Sequence, residues 1–171
     1  MIVISDTNVL SSLAAGDSFH LLLQLYPRAK LSVPQIVLDE LQAGDDAGTS
    51  YLQPVLQAIR AHQIHVLPLT PEEELLTFQY PNNLDAGERQ AIALAQIRKA
   101  TLLGNDKNAI RYCKQKGIRV VSLVGILRLL WMEQVIAQDD VRLLIGRMEQ
   151  VESLTLTPSQ LTEIFAPKTT V

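Results

Sequence analysis

Four acids stand where acids are costly: Asp6, Glu40, Glu88 and Asp106. Asp6 follows the short apolar run Ile2 to Ile4, and Asp106 follows Thr101-Leu102-Leu103. A buried strand that ends in an acid puts it at the carboxyl edge of a sheet, where open α/β sheets bind ligands. The two glutamates fall on helical patterns. At about 100° per residue, Ile36, Val37 and Leu41 define an apolar arc that takes in Glu40 and leaves Asp39 to solvent. Glu88 begins a stripe continued by Ile92 and Ala95, at steps of four and three residues. A carboxylate on such a stripe needs a cation or donors around it. Four converging carboxylates raise one another's pKa, and hard oxygen ligands select Mg²⁺ or Mn²⁺. A pair of such ions is the usual device for phosphodiester hydrolysis: they hold the scissile phosphate, activate a water and stabilise the leaving oxygen. No nucleophilic side chain is required.

Each acid also has an ordinary reading. Asp6 or Asn8 caps the helix that follows. Asp85 with Glu88 three residues later is a capping box. Asp106 caps another helix, and Glu40 pairs with an arginine or sits at the rim of its stripe. The case for chemistry is that the ordinary readings need four separate coincidences.

The elements that would position these acids alternate between strand and helix. Strands are expected at Ile2–Ile4, Leu31–Val33, Ile64–Leu67, Thr101–Gly104 and Arg119–Val121. Pro34 sits at a good first helical position and opens a helix to about Ala43 and Gly44, followed by a loop to Ser50. Further helices are expected at Phe19–Tyr26, Tyr51–His62, Asp85–Arg98, Asp106–Lys116, Leu123–Met132, Asp140–Gln150 and Ser159–Phe165. Such alternation argues for a parallel sheet covered on both faces. A chain of 171 residues is long enough for one full core, and 47% hydrophobic with 5% aromatic residues points to aliphatic packing. No run is long enough for a membrane span. The single cysteine, Cys113, forms no internal disulfide, which fits a reducing cytoplasm. His20, His62 and His65 lack metal-ligand spacing.

Net charge is −3, yet seven of the fifteen basic residues lie between Arg98 and Arg119, against one acid, Asp106. Lys107, Arg111 and Lys114 share one helix face at steps of four and three. A basic face that starts beside a metal site could hold phosphates flanking a cut; its plain alternative is a solvated helix surface.

Ser5-Asp6-Thr7-Asn8-Val9-Leu10 resembles the opening motif of PIN-domain ribonucleases, and three more segments resemble that family's acidic motifs in order. They are Val33-Pro34 with Val37-Leu38-Asp39-Glu40-Leu41, then Leu84 to Ala95, then Leu102-Leu103-Gly104-Asn105-Asp106. The closest resemblance is to the VapC-like branch, toxins neutralised by a co-expressed antitoxin. The resemblance implies a PIN-like α/β/α sandwich with a central, mostly parallel sheet, as one domain over residues 1–171. Its motif core would span 1–125, with C-terminal helices at 138–166 packed on it. It implies metal-dependent endoribonuclease activity with Mg²⁺ or Mn²⁺, catalytic and metal-holding acids Asp6, Glu40, Glu88 and Asp106, and support from Thr7, Asn8 and Asn105. RNA-binding candidates are Lys107, Arg111 and Lys114. A cognate antitoxin, a homodimer and a cytoplasmic location are further implications. The chain departs from the family pattern at Glu88, where many relatives have aspartate, at Asn105, which replaces one acid of a common pair, and at Gly104, where a hydroxyl residue is common. These departures bear on metal affinity rather than on fold. Two rival readings stand beside the nuclease: a binding module of the same fold that does not cut, and a phospho-acceptor domain with Asp6 as nucleophile.

Overall fold

The alternating pattern becomes five strands and ten α-helices in a computed structural model that describes residues 1–167. In chain order they are β1 (Ile2–Ser5), α1 (Thr7–Ala15), α2 (Phe19–Leu25), β2 (Lys30–Pro34), α3 (Gln35–Asp46), α4 (Gln53–Arg60) and β3 (His65–Leu67). Then follow α5 (Pro71–Thr77), α6 (Ala86–Ile97), β4 (Thr101–Leu103), α7 (Lys107–Gln115), β5 (Val120–Val121), α8 (Leu123–Met132), α9 (Gln138–Val151) and α10 (Pro158–Phe165). A single 3₁₀ turn, Ser50–Leu52, precedes α4.

All five strands are parallel, in the order β3-β2-β1-β4-β5. The chain lays β2 and β3 on one side of β1, then returns to place β4 and β5 on the other. The reversal falls between β1 and β4, and a crevice forms there at the carboxyl ends of the strands. Val3 is in register with Thr101, and Ile4 with Leu102. Because successive side chains on a strand point to opposite faces, the sheet feeds two cores. Val3, Leu31, Val33 and Leu103 pack under α1 to α4 and α8 to α10. Ile4, Leu67 and Leu102 pack under α6 and α7, with Tyr80, Leu84 and Cys113.

Most boundaries fall within a residue or two of the pattern-based expectation. The exception is α3, which runs past Gly44 to Asp46. Gly44 is there because Leu52 packs onto it: a Cβ at that position would lie 2.8 Å from Leu52 Cδ1. A glycine read as a helix end is in fact a point of close approach.

The last three helices are tied back by polar contacts. Trp131 Nε1 donates to the Ile164 carbonyl at 2.8 Å, and Arg128 donates to that of Glu163. Just beyond α9, Glu152 accepts from the hydroxyls of Ser11 and Ser12 on α1, locking it to the first helix. Among the described residues, no helix is long and apolar enough to cross a membrane.

Candidate active site

Asp6 leaves β1 directly and is only 5% exposed. Its Oδ1 accepts from the Val9 N–H at 2.8 Å, capping α1, and its Oδ2 accepts from the Asn105 N–H at 3.1 Å. Its own N–H donates to the Leu103 carbonyl at 3.0 Å. Asp6 is therefore pinned across the β1–β4 reversal by three backbone contacts. Burial pushes its carboxyl up from 3.8 to about 6, against those two N–H donors, and the charges of Asp85 and Asp106 add to the rise.

Glu88 enters from α6, 8% exposed, on the same stripe as fully buried Ile92. It belongs to a capping box: Glu88 Oε2 accepts from the Asp85 N–H at 2.9 Å, and Asp85 Oδ1 accepts from the Glu88 N–H at 2.8 Å. Glu88 Oε1 carries no hydrogen bond among the described residues. Burial, then Asp85, Asp106 and Asp6, raise this carboxyl from 4.5 to about 7.

Glu40 corrects an expectation. It is exposed, not core-facing; Val37 and Leu41 carry the buried stripe of α3. Glu40 lies at the stripe's rim, where α3 meets α1, and accepts a hydrogen bond from the Thr7 hydroxyl. A wheel drawn on one helix shows the arc but not where the neighbouring helix ends and solvent begins.

Asp6, Thr7, Asn8, Glu40, Asp85, Gly87 and Glu88 line one pocket of about 180 Å³. Gly87 keeps it open: a Cβ there would come within 3.2 Å of Glu40 Oε1 and 3.4 Å of Asp85 Oδ1. Asp106 is not on this lining. It caps α7, its Oδ1 accepting from the N–H groups of Asn108 at 2.7 Å and Ala109 at 2.9 Å. Its charge nonetheless acts on both Asp6 and Glu88. Asp85 is the residue that sequence reasoning left to capping alone. The signal was there, three residues ahead of Glu88, because the helix start that makes it a cap also turns it into the pocket.

A chain that matches a family model along nearly its whole length shares that family's fold and core. The model described as a PIN domain matches residues 2–167. The chain belongs to the PIN-domain family. A solved structure of the same fold is VapBC2 from Rickettsia felis, bound to a DNA fragment from its promoter. The two align with a TM-score of 0.57 and 17% identity, over 71% of this chain and 98% of the other. No curated protein matches the sequence.

Within this PIN domain, the positions that depart from the family pattern touch the acids. Asn105 keeps its backbone N–H on Asp6 although its side chain brings no charge. A Cβ on Gly104 would stand 3.4 Å from Asp6 Oδ2, the oxygen that accepts from the Asn105 N–H, which is ordinary contact. The donor set around the pocket is all oxygen, as Mg²⁺ and Mn²⁺ require. Among the described residues no three acid, histidine or cysteine side chains stand in ligating geometry. Mg²⁺ does not need three, since it keeps several waters and takes one or two carboxylates. The residues fit such an ion: burial raises the carboxyls of Asp6 and Glu88, neighbouring acids add to the rise, and Glu88 Oε1 carries no hydrogen bond among the described residues.

A pH dependence follows from the two raised carboxyls. Their folded values exceed 3.8 and 4.5, so the folded metal-free protein binds more protons than the unfolded chain between about pH 4 and pH 7. These two groups therefore make stability fall as pH rises through that window. A divalent ion bound there would take the deprotonated acids and oppose this trend. The expected result in thermal melts is a Mg²⁺- or Mn²⁺-induced rise in Tm that is larger near about pH 8 than near about pH 5. A rise independent of pH would place the ion elsewhere.

Proposed function

We propose that this PIN domain is a metal-dependent endoribonuclease that cuts RNA phosphodiesters at the Asp6 pocket. The observation that supports it most is the pair of buried acids, Asp6 and Glu88, brought from two different elements to one pocket at the sheet's reversal point, with neither in an ion pair among the described residues. Mg²⁺ or Mn²⁺, when bound, would hold the phosphate and lower the pKa of an attacking water. The chain's own side chains do the rest. Asp6 is held by the Val9 and Asn105 N–H groups, so it would be one of the residues to hold the ion, in a fixed orientation. Glu88 turns Oε2 to the α6 cap and leaves Oε1 for the ion or for a proton from water. Asp106 supplies charge from the α7 side, and Glu40, steadied by Thr7, closes the opposite wall. In the hydrolysis the water oxygen bonds to phosphorus, the bridging P–O bond breaks, and the departing oxygen takes a proton.

The protein's setting is part of the same proposal. It acts in the cytoplasm as a toxin, in a homodimer, and a protein antitoxin holds it in check. The support is membership of the PIN family and a fold shared with the VapBC2 structure. The test is incubation of purified protein with structured and unstructured RNAs in Mg²⁺, Mn²⁺ or EDTA. Cleavage is expected with the ions and none with EDTA; cutting that persists in EDTA would sink the metal reading. One observation favours a second reading, a module that holds RNA or an antitoxin without cutting: among the described residues no three acids stand ready to ligate. RNA bound but left intact with either ion would select it.

A further inference from the structure

The carboxyl edge of the sheet carries the acids, and the opposite edge carries a pocket of the other sign. Lys99, Lys116 and Arg119 line it, with Gln96 and Gly117, in a volume of about 180 Å³. It lies where α6 and α7 end and β4 and β5 begin. All three cations are exposed, and no acid lines the pocket. Lys99 holds a left-handed backbone, φ 52°, at a position where helices usually end in glycine. Its carbonyl accepts from the Arg119 guanidinium at 3.0 Å, which fixes two of the cations relative to each other.

A ridge connects this pocket to the active site. α7 starts at Asp106 and finishes at Lys116, so its length carries it from one sheet edge to the other. Lys107, Arg111 and Lys114 stand exposed along its outer face, while Ala109 and Cys113 face the core. The ion pairs among the described residues are Arg98–Glu73 and Arg142–Asp139. None of the six cations from Lys99 to Arg119 shares in them. In a protein of net charge −3, six unpaired cations gathered on one strip repel one another unless an extended anion lies across them. A small anion would need the lower pocket only. The ridge is useful to a strand.

We propose that RNA leaves the cleavage site along α7 and that its phosphates reach the Lys99–Lys116–Arg119 pocket, so that the enzyme requires several nucleotides on one side of the cut. This rests on the reading of the Asp6 pocket as an RNA-cleaving site. The nine residues of α7 span about 14 Å, which is about four phosphates at the spacing of a stacked strand.

The test compares wild type with the double variant Lys99→Gln/Lys116→Gln; Arg119 is kept because it braces Lys99. Labelled single-stranded oligoribonucleotides of about four and about twelve nucleotides are titrated in EDTA across a salt series, with melting curves as a control on folding. Losing two phosphate contacts should weaken binding of the longer RNA about tenfold at low salt and flatten its log–log salt slope by about 1.4. The short RNA, which spans part of the track, should lose markedly less. Equal losses at both lengths, or an unchanged slope, would overturn the track. So would displacement of the longer RNA by inorganic phosphate or a mononucleotide at low millimolar concentration, which would make the lower pocket a small-anion site. Cleavage in Mg²⁺ is scored separately. RNA binding that depends on Lys99 and Lys116 without any cutting would leave the track standing and remove the nuclease; cutting with no dependence on these lysines would do the reverse.

Discussion

Asp6→Asn is expected to lower RNA cleavage by about 10²–10³-fold, the scale of removing one preorganised electrostatic contact at a reacting centre, while the protein stays folded. Asparagine caps a helix about as well as aspartate, so the start of α1 survives. Its amide has one acceptor oxygen, however, and Asp6 uses two, for Val9 and for Asn105. One backbone N–H loses its partner, which costs about 1–3 kcal/mol. Removing a buried charge that burial has pushed to about 6 works in the other direction. The two effects offset, and the expected change in unfolding free energy is within about 1 kcal/mol. Loss of cutting with an unchanged melt would assign Asp6 to the chemistry. Undiminished cutting would remove it, whatever the melt shows.

Glu88→Gln has a more unusual signature, because stability and activity should move apart. Glutamine still accepts the Asp85 N–H, so the capping box is kept. What disappears is a charge held among Asp85, Asp106 and Asp6. A rise from 4.5 to about 7 corresponds to about 3 kcal/mol for a fully buried group; solvent at the pocket mouth reduces this to about 1–2 kcal/mol. The metal-free variant should therefore melt about 2–6 °C higher than wild type near pH 8. The gain should shrink as pH falls through about 7 and vanish near about pH 4, where the acid is protonated in both the folded and the unfolded protein. Cleavage should drop about a hundredfold, and the Mg²⁺-induced rise in Tm should shrink. A variant less stable than wild type at pH 8 would show that Glu88 is held by favourable contacts, contrary to the unpaired-acid picture.

The placement of these acids could be expected without coordinates because the ordinary capping reading of each had to hold four times over. Asp6 and Asp106 declare themselves by following Ile2–Ile4 and Thr101–Leu103, and the reversal of strand order then brings β1 and β4 side by side. Capping and chemistry look like rival roles in a sequence. In the fold they coexist: Asp6 and Asp85 cap helices and line the pocket with the same side chains. That is geometric, since a helix that starts at the carboxyl edge points its first N–H groups, and whatever caps them, into the crevice. Glu40 was harder. Its placement depends on how α3 meets α1 and on the Thr7 hydroxyl thirty-three residues away, neither of which a single-helix pattern contains. The extension of α3 beyond Gly44 was hidden for the same reason, because the glycine's close neighbour, Leu52, lies on a later element.

The pairing of β1 with β4 has a consequence for how the protein is made. Asp6 is synthesised well before its partner N–H, which belongs to Asn105, and before the strand beside it, which begins at Thr101. Half-built chains can pair β1 with β2, but they lack the strand that turns Asp6 into a wall of the crevice. At about 5–20 residues per second, synthesis leaves Asp6 without its β4-side contacts for several seconds. A truncated or stalled product ending before β4 therefore carries every residue that lines the pocket but lacks the strand and the Asn105 N–H that hold Asp6 in place. For a protein whose finished form would cut RNA, the order of the strands in the chain is itself a delay on danger.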